Sequence, residues 1–372
     1  MHIHATFDSG NIEVVDASDP LDVQLVIRPD EGGNHLQWFH FRVTGALGEP
    51  VRLRIVNAAK ASYPKAWEGY RAVVSEDRAT WRRCDTAYEG GELVITHTLE
   101  AHTVWFAYFA PYDYERHQAL IGECQAAEGV SLEVLGDTVD GRPMDLLTFG
   151  EGVRVIWVIA RQHPGESMAE WWMEGFLARM LDPDDALARH LRTKARFCVV
   201  PNMNPDGSIR GHLRNNAAGA NLNREWHEPT LERSPEVKLV RDRMDATGVD
   251  LCLDVHGDEE LPYNFFSGAE GIPGWSSRLK RLQDAFVAAY IRANPDMQDQ
   301  HGYPVAGAGA ANLTMCTNQV AQRFDCLSLT LEQPFKDNAN APDEEQGWSP
   351  TRCERLGASA VDAMAAVIDA LR

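Results

Sequence analysis

No run of apolar residues approaches the roughly 18 that a membrane-spanning helix needs, so the sequence contains no candidate span of that kind. Basic residues are scarce: 35 Lys and Arg stand against 55 Asp and Glu, a formal net charge of −20. Such a surface repels phosphate backbones and anionic headgroups, which excludes nucleic acid and the membrane surface as expected partners. The seven cysteines (Cys84, Cys124, Cys198, Cys252, Cys316, Cys326 and Cys353) are scattered and form no CxxC pair, so they read as small buried residues of a reducing compartment. The opening MHIHATFDSGN has neither a basic start nor an apolar core, which predicts no signal peptide and a cytoplasmic location. Internal repeats and low-complexity tracts are also missing. What is present, 44% hydrophobic and 24% charged residues over 372 positions, suits a folded chain of two domains.

The texture changes once, near residues 115–130. Before that point apolar residues alternate in short segments, 21–29, 36–45, 51–58, 91–99 and 103–111, parted by Gly, Pro, Asn or Asp. This predicts an all-β domain, an antiparallel sandwich, over residues 1–117. From 118 to 372 the pattern becomes strand, loop, helix. SLEVLG and MDLLTFG read as a hairpin. The continuous apolar runs 153–160, 196–202, 248–257 and 326–333 read as strands covered on both faces. Helices are expected at 167–181, near 234–247, near 274–293 and at 353–371. The expected fold is α/β, with a mostly parallel mixed sheet and helices on both faces.

Ligands of open α/β sheets bind beyond the carboxyl ends of the strands. VRVIWVIA runs into RQHPGES, which places His163 and Glu166 there; LCLDV runs into His256; LSLTL runs into Glu332; RFCVV leads through PNMNPDG to Arg214, Asn223 and Arg224. The HxxE string itself says little, since it occurs three times (His97–Glu100, His163–Glu166, His256–Glu259) and about one is expected by chance. Context separates them: His97–Glu100 lies on an alternating β segment and reads as a surface pair, whereas His163–Glu166 sits in a Pro-Gly loop between a buried strand and a helix. With His256 it makes a His₂Glu set, one of the usual three-ligand sets of catalytic zinc. Glu332, at the end of an apolar strand, reads either as a carboxylate paired with arginine or as a general base whose pKa desolvation raises.

These residues resemble the zinc carboxypeptidases, and within them the bacterial members of the cytosolic carboxypeptidase branch. HPGES, NPDGSIRGHLRNNAAGANLNREW (204–226), DVHG (254–257) and TLEQPFKD (330–337) carry the likeness, and FDSGNIEVV, HLQWFHFRV and WFAYFAPYDYER resemble the β-sandwich that precedes the catalytic domain in that branch. The resemblance implies a zinc carboxypeptidase-like fold and one Zn²⁺ held by His163, Glu166 and His256. It implies Glu332 as general base on zinc-bound water and Arg214 as the group that polarises the scissile carbonyl and stabilises the oxyanion. Asn223 and Arg224 would clamp the terminal carboxylate of a peptide or protein substrate, a task for which a planar guanidinium is suited.

The chain departs from the family pattern at Asn221, where related enzymes often carry an aspartate that orients a zinc-bound histidine; an amide accepts the imidazole N–H without raising its basicity. The mobile tyrosine of many relatives has no motif match here, and Tyr303 in HGYPVAGAGAAN is the candidate, beside the plainer reading of a packed loop tyrosine. The terminal side chain is expected to meet residues between about 300 and 332: Asn312, Thr314, Thr317, Asn318, Gln319, Arg323 and Thr330. Arg323 suits an acidic terminal residue or, more simply, a structural ion pair. Trp171, Trp172 and Phe176 read as helix core, His212 and His227 as outer or exposed, and Asp258, Glu259 and Glu260 as a solvated loop. FSGAEG lacks the Lys-Ser/Thr of a phosphate cradle. Two other activities fit parts of the pattern: an N-acyl-amino-acid deacylase with the same zinc set, and a silent protein that binds C-terminal tails.

Overall fold

A computed structural model describes all 372 residues. Two five-stranded sheets build the N-terminal unit. One runs in the order His2–His4, His40–Thr44, Thr103–Ala107, Val73–Ser75, Arg82–Arg83, and the other Glu13–Asp16, Val23–Val26, Pro50–Ile55, Glu92–Thr98, Asp85–Glu89. Inward positions of both, among them Phe41, Val43, Phe106, Leu53 and Ile95, share one apolar core. The sandwich is not wholly antiparallel: Val23–Val26 pairs in parallel with Pro50–Ile55. A long excursion through residues 27–49 separates those strands and crosses to the other sheet, so they are not joined by a hairpin. The same alternation corrects one expectation. His97 lies on the inward side of Glu92–Thr98, edge-on to Phe106 at 5.5 Å, while Glu100 pairs with Arg82 at 2.7 Å, so the two do not form a surface pair.

Helix Tyr114–Gln125 spans the expected division at 117/118 and packs on Met168–Leu181 and Pro143–Phe149 of the second unit. There, seven strands run in the order Ser131–Asp137, Pro143–Phe149, Ala195–Val200, Arg154–Ala160, Leu251–Val255, Leu327–Glu332, Phe265–Ser267. The central four are parallel to one another and the outer pairings antiparallel. Side-chain alternation divides the burial between two faces. Ile156 and Val158 join a core with Met168–Leu181, Ser277–Ala293 and Pro350–Val367; Val155, Trp157 and Ile159 join a second core with Pro235–Thr247 and Cys316–Phe324. Both faces are thus roofed by helices, which is why these strands read as continuous apolar runs. Trp171, Trp172 and Phe176 are buried as expected. Their helix approaches Pro350–Val367 so closely that a Cβ on Gly175 would lie 2.0 Å from the Glu354 carbonyl oxygen, and one on Gly357 1.9 Å from that of Trp172. No helix is long and apolar enough to cross a membrane.

The strand order fixes where a site can form. From Arg154–Ala160 the chain passes to Ala195–Val200 on one side and then to Leu251–Val255 on the other. The carboxyl end of Arg154–Ala160 is therefore the switch point at which loops diverge and leave a crevice.

Candidate metal centre and substrate cleft

The strand Arg154–Ala160 ends in Arg161, a non-glycine residue in the left-handed region (φ 59°). That conformation is costly for a side-chain-bearing residue and is held by buried hydrogen bonds. The Arg161 guanidinium donates to the carbonyl of Pro164 at 2.9 Å, to that of Tyr112 at 2.8 Å, and to Glu170. Glu170 also accepts from Asn202 at 2.9 Å and meets His117 at 2.8 Å. The turn so fixed projects His163 and Glu166 inward. Residue 162 braces the next strand: Gln162 donates to Asp254 at 2.7 Å and accepts from the Trp226 indole at 2.8 Å.

His163, Glu166 and His256 meet, all buried, with one donor atom from each within 4.8 Å of the others. The Nδ1 atoms of both imidazoles lie 2.7 Å from Glu166, one against Oε1 and the other against Oε2, and 3.2 Å from each other. Their Nε2 atoms are engaged elsewhere: that of His163 is 3.0 Å from Asn221 Oδ1, and that of His256 is 3.0 Å from Asp254 Oδ1. An Nε2–H that donates outward leaves Nδ1 a lone pair, so two imidazole nitrogens and a carboxylate point at one spot. Burial pushes the His163 pKa down to about 4, with the Arg214 cation helping, which favours the neutral, ligating imidazole. Burial alone would raise the Glu166 pKa; the two imidazoles outweigh it and hold the carboxyl below its ordinary value. This donor set fits a tetrahedral zinc ion with a fourth position for water or substrate.

His163 and Glu166 of the triad line a cavity of about 370 Å³ whose lining also includes Tyr63, Arg214, Asn223, Arg224, Tyr303 and Glu332. Glu332 is buried, its Oε2 has no hydrogen-bond partner, and burial drives its pKa well above the ordinary range, with Glu166, Asp258 and Glu259 adding to the rise. No arginine pairs with it. Asn223 accepts the Cys316 N–H through Oδ1 at 2.8 Å, which leaves its NH₂ group free to donate. Arg224 donates to the Asn223 carbonyl at 2.7 Å, and the rest of its fork stays exposed. Arg214 lies over the Tyr63 ring, 5.5 Å from its centroid.

The N-terminal unit is built into this site. The buried Asp30 carboxylate accepts the backbone N–H groups of Leu213, Arg214 and Asn215 at 2.6, 2.8 and 2.9 Å. His212 is buried beside it, accepting from the Glu31 N–H at 3.1 Å and donating to Asn215 O at 3.0 Å; His227 is exposed. Together with Tyr63, these contacts place the sandwich along the Arg214 side of the cleft.

Several expectations change. Asp258 and Glu259 are not solvated: they are 8% and 5% exposed, and only Glu260 is open. Beyond His256 the chain keeps pairing with the strand beside it, Asp258 N donating to Gln333 O at 2.8 Å, so this segment extends the sheet edge into the cleft. Tyr303 is not simply packed, since its hydroxyl donates to Asp258 at 2.5 Å inside the cavity. Arg323 makes a two-pronged pair with Asp245 at 2.5 and 2.7 Å, the structural alternative. None of the seven polar residues expected around the terminal side chain lines the cavity, where Met315 stands instead. Thr317 and Thr330 are buried and bonded to each other at 2.6 Å.

Three cavity or support residues escaped the sequence: Asp30, Tyr63 and Asp254. Asp254 carried a usable signal, because a carboxylate inside a wholly buried strand requires a partner. Asp30 and Tyr63 carried none, lying more than 150 residues from the loop they support.

The profile of the cytosolic carboxypeptidase N-terminal domain matches residues 3–109, and that of the zinc carboxypeptidase family matches residues 123–346. A metallo-carboxypeptidase from Pseudomonas aeruginosa, solved with (2-guanidinoethylmercapto)succinic acid, is 47% identical over all of both chains with a TM-score of 0.98. One from Burkholderia cenocepacia is 46% identical over 99% of both, TM-score 0.97. Mouse cytosolic carboxypeptidase 3 is 29% identical over 74% of this chain, which spans 30% of that protein. With its own N-terminal domain and its His-Glu-His centre in place, the chain belongs to the zinc carboxypeptidase family and is a metallocarboxypeptidase of the cytosolic carboxypeptidase branch.

Proposed function

We propose that the protein removes the C-terminal residue of a peptide or protein with zinc held by His163, Glu166 and His256. The observation that carries this reading is the buried, unpartnered Glu332 oxygen in the same cavity as His163 and Glu166 of the triad. Zinc, when bound, supplies a Lewis acid that acidifies water and polarises a carbonyl. Glu332 takes the proton of the attacking water and passes it to the leaving amine; burial raises its proton affinity, as such a relay requires. Arg214, steadied from behind by Asp30 and beneath by Tyr63, donates to the oxygen on which negative charge develops. The Asn223 NH₂ group and the open side of Arg224 bind the substrate's terminal carboxylate. The succinic acid derivative on the Pseudomonas relative is a ligand of that carboxylate-bearing kind. The seven unpaired cysteines agree with action in a reducing compartment, for which we propose the cytoplasm.

The test is residue release from peptides that differ only in the last position, read by mass spectrometry, with N-acetyl amino acids alongside. Wild-type protein is expected to shorten peptides by one residue. Glu332→Gln is expected to bind zinc at unchanged stoichiometry and lose about 10²–10⁴ in rate. Hydrolysis of the acyl amino acids alone would favour the deacylase, and zinc binding without turnover would favour a tail-binding protein.

A further inference from the structure

One short loop joins both ends of the proposed substrate grip. Arg214 leads into it, and Asn223 and Arg224 follow it. Asn215 and Asn221 form an antiparallel bridge at its neck, and the Asn216 N–H donates to the Ala220 carbonyl at 2.9 Å. Residues 215–221 therefore make a closed miniature hairpin. Its shape sets the spacing between the arginine at the scissile carbonyl and the pair at the terminal carboxylate. On one side the loop rests on the N-terminal unit. Asp30 holds the backbone N–H groups of Leu213, Arg214 and Asn215, and a Cβ on Gly219 would lie 2.4 Å from the Gly32 carbonyl oxygen.

On the other side the loop is tied down by a single side chain. Asn216 is fully buried. Its Oδ1 accepts the N–H groups of Ala218 and Ala220 at 3.0 and 2.9 Å, which holds the loop from inside. Its NH₂ group donates outward, to the Arg233 carbonyl at 3.0 Å and to Glu236 at 3.1 Å. Glu236 is also fully buried and stands in the first turn of helix Pro235–Thr247, part of the second core of the catalytic unit. The amide of Asn216 is thus fully engaged: its oxygen shapes the loop and its nitrogen attaches it. Loss of either half strands buried polar groups without partners.

Resting on the carboxypeptidase reading, we infer that Asn216 is a positioning residue for the reaction: it fixes the spacing between Arg214 and the Asn223–Arg224 pair by tying their shared loop to helix Pro235–Thr247. It lines no part of the cavity and acts only through those residues. A peptide held at both ends senses that spacing, so loosening the tie should raise KM and lower kcat together. Loss of folded protein would lower kcat alone. The test uses zinc-loaded full-length protein and peptide release at pH 8, where Glu236 is charged. Glu236→Gln keeps an oxygen for the Asn216 amide and should leave both constants unchanged. Asn216→Asp keeps the acceptor for Ala218 and Ala220, loses the donor and sets a second carboxylate against Glu236. Its kcat/KM should fall about tenfold or more, with KM raised. Combining Asn216→Asp with Glu236→Gln restores a donor and an acceptor across the pair with their roles exchanged, and should recover most of the loss.

Wild-type values of kcat and KM in Asn216→Asp would overturn the inference. So would a fall in kcat at constant KM, or a loss that adding Glu236→Gln does not relieve, since neither arises from the tie. If Asn216→Asp does not fold, Asn216→Ser takes its place: it keeps a hydroxyl acceptor inside the loop and has no NH₂ group to reach the helix. Raised KM with lowered kcat is again expected, and unchanged constants overturn the inference. None of these results touches the carboxypeptidase reading, which fails, and the inference with it, if wild-type protein releases no terminal residue from any peptide.

Discussion

Asn221 offers a quantitative test of how the metal centre is supported. The outer contacts of the two imidazoles differ: His256 Nε2 lies 3.0 Å from a carboxylate oxygen of Asp254 and 3.4 Å from the Gln162 amide nitrogen, whereas His163 Nε2 meets an amide oxygen, that of Asn221, at 3.0 Å. Asn221 Oδ1 also accepts the Asn223 N–H at 3.1 Å, and its NH₂ group makes no hydrogen bond. Asn221→Asp keeps both accepted hydrogen bonds, adds a charge and forfeits nothing. Outer partners of metal-bound histidines typically contribute 10–100-fold in affinity. The variant should therefore bind Zn²⁺ about tenfold more tightly, a change of about 1.4 kcal/mol. The readout is competition for zinc against a chromophoric chelator at fixed pH, independent of any turnover. Asp254→Asn is the mirror experiment and should weaken binding by about 10–100-fold. Unchanged or weaker affinity in Asn221→Asp, with Asp254→Asn also without effect, would refute the argument that these outer groups set the ligating strength of the imidazoles.

Three further outcomes follow. Asp30→Asn removes the charge that organises three backbone N–H groups around Arg214; kcat/KM should fall about tenfold or more with zinc stoichiometry unchanged, and normal activity would mean the loop holds its shape alone. Glu170→Ala leaves the buried Arg161 without its ionic partner and should destabilise the fold by about 3–5 kcal/mol, read by urea unfolding of the metal-free protein. Burial pushes the pKa of Glu236, hydrogen-bonded by Asn216 at 3.1 Å, up to about 7. The folded state then holds more protons than the unfolded chain between about pH 4.5 and 7, so stability falls as pH rises through that window and stays low above it. Glu236→Gln should accordingly stabilise the protein by up to about 3 kcal/mol at pH 8 and by little at pH 5, and equal shifts at both would count against a protonated carboxyl.

What the sequence made legible is what the sheet makes local. His163, Glu166, His256 and Glu332 each follow a continuous apolar run, and a run buried on both faces has to deliver its next residues to the same rim of a parallel sheet. The meeting of the first three, and the cavity that His163 and Glu166 share with Glu332, needed only that rule. The helices Met168–Leu181 and Pro235–Thr247 lie close to their expected spans for the same reason, since their apolar spacing and flanking loops are short-range signals. The misreadings fall where burial is decided by a distant segment. Asp258 and Glu259 look solvated beside Glu260, yet pairing with Gln333 and Pro334 carries them inside. His97 looks like half of an exposed ion pair, yet strand alternation turns its ring onto Phe106. Asp30 sits in the turn-like PDEGGN, where acidic residues ordinarily meet water. Its role exists only because glycines let that turn approach the Arg214 loop, a Cβ on Gly33 falling 1.9 Å from Asn215 Nδ2. A site assembled across two domains thus divides its residues by kind: the metal set and Glu332 lie at or beyond strand ends and are readable in sequence, while Asp30 and Tyr63, which support Arg214, are contributed by contacts that no local pattern encodes.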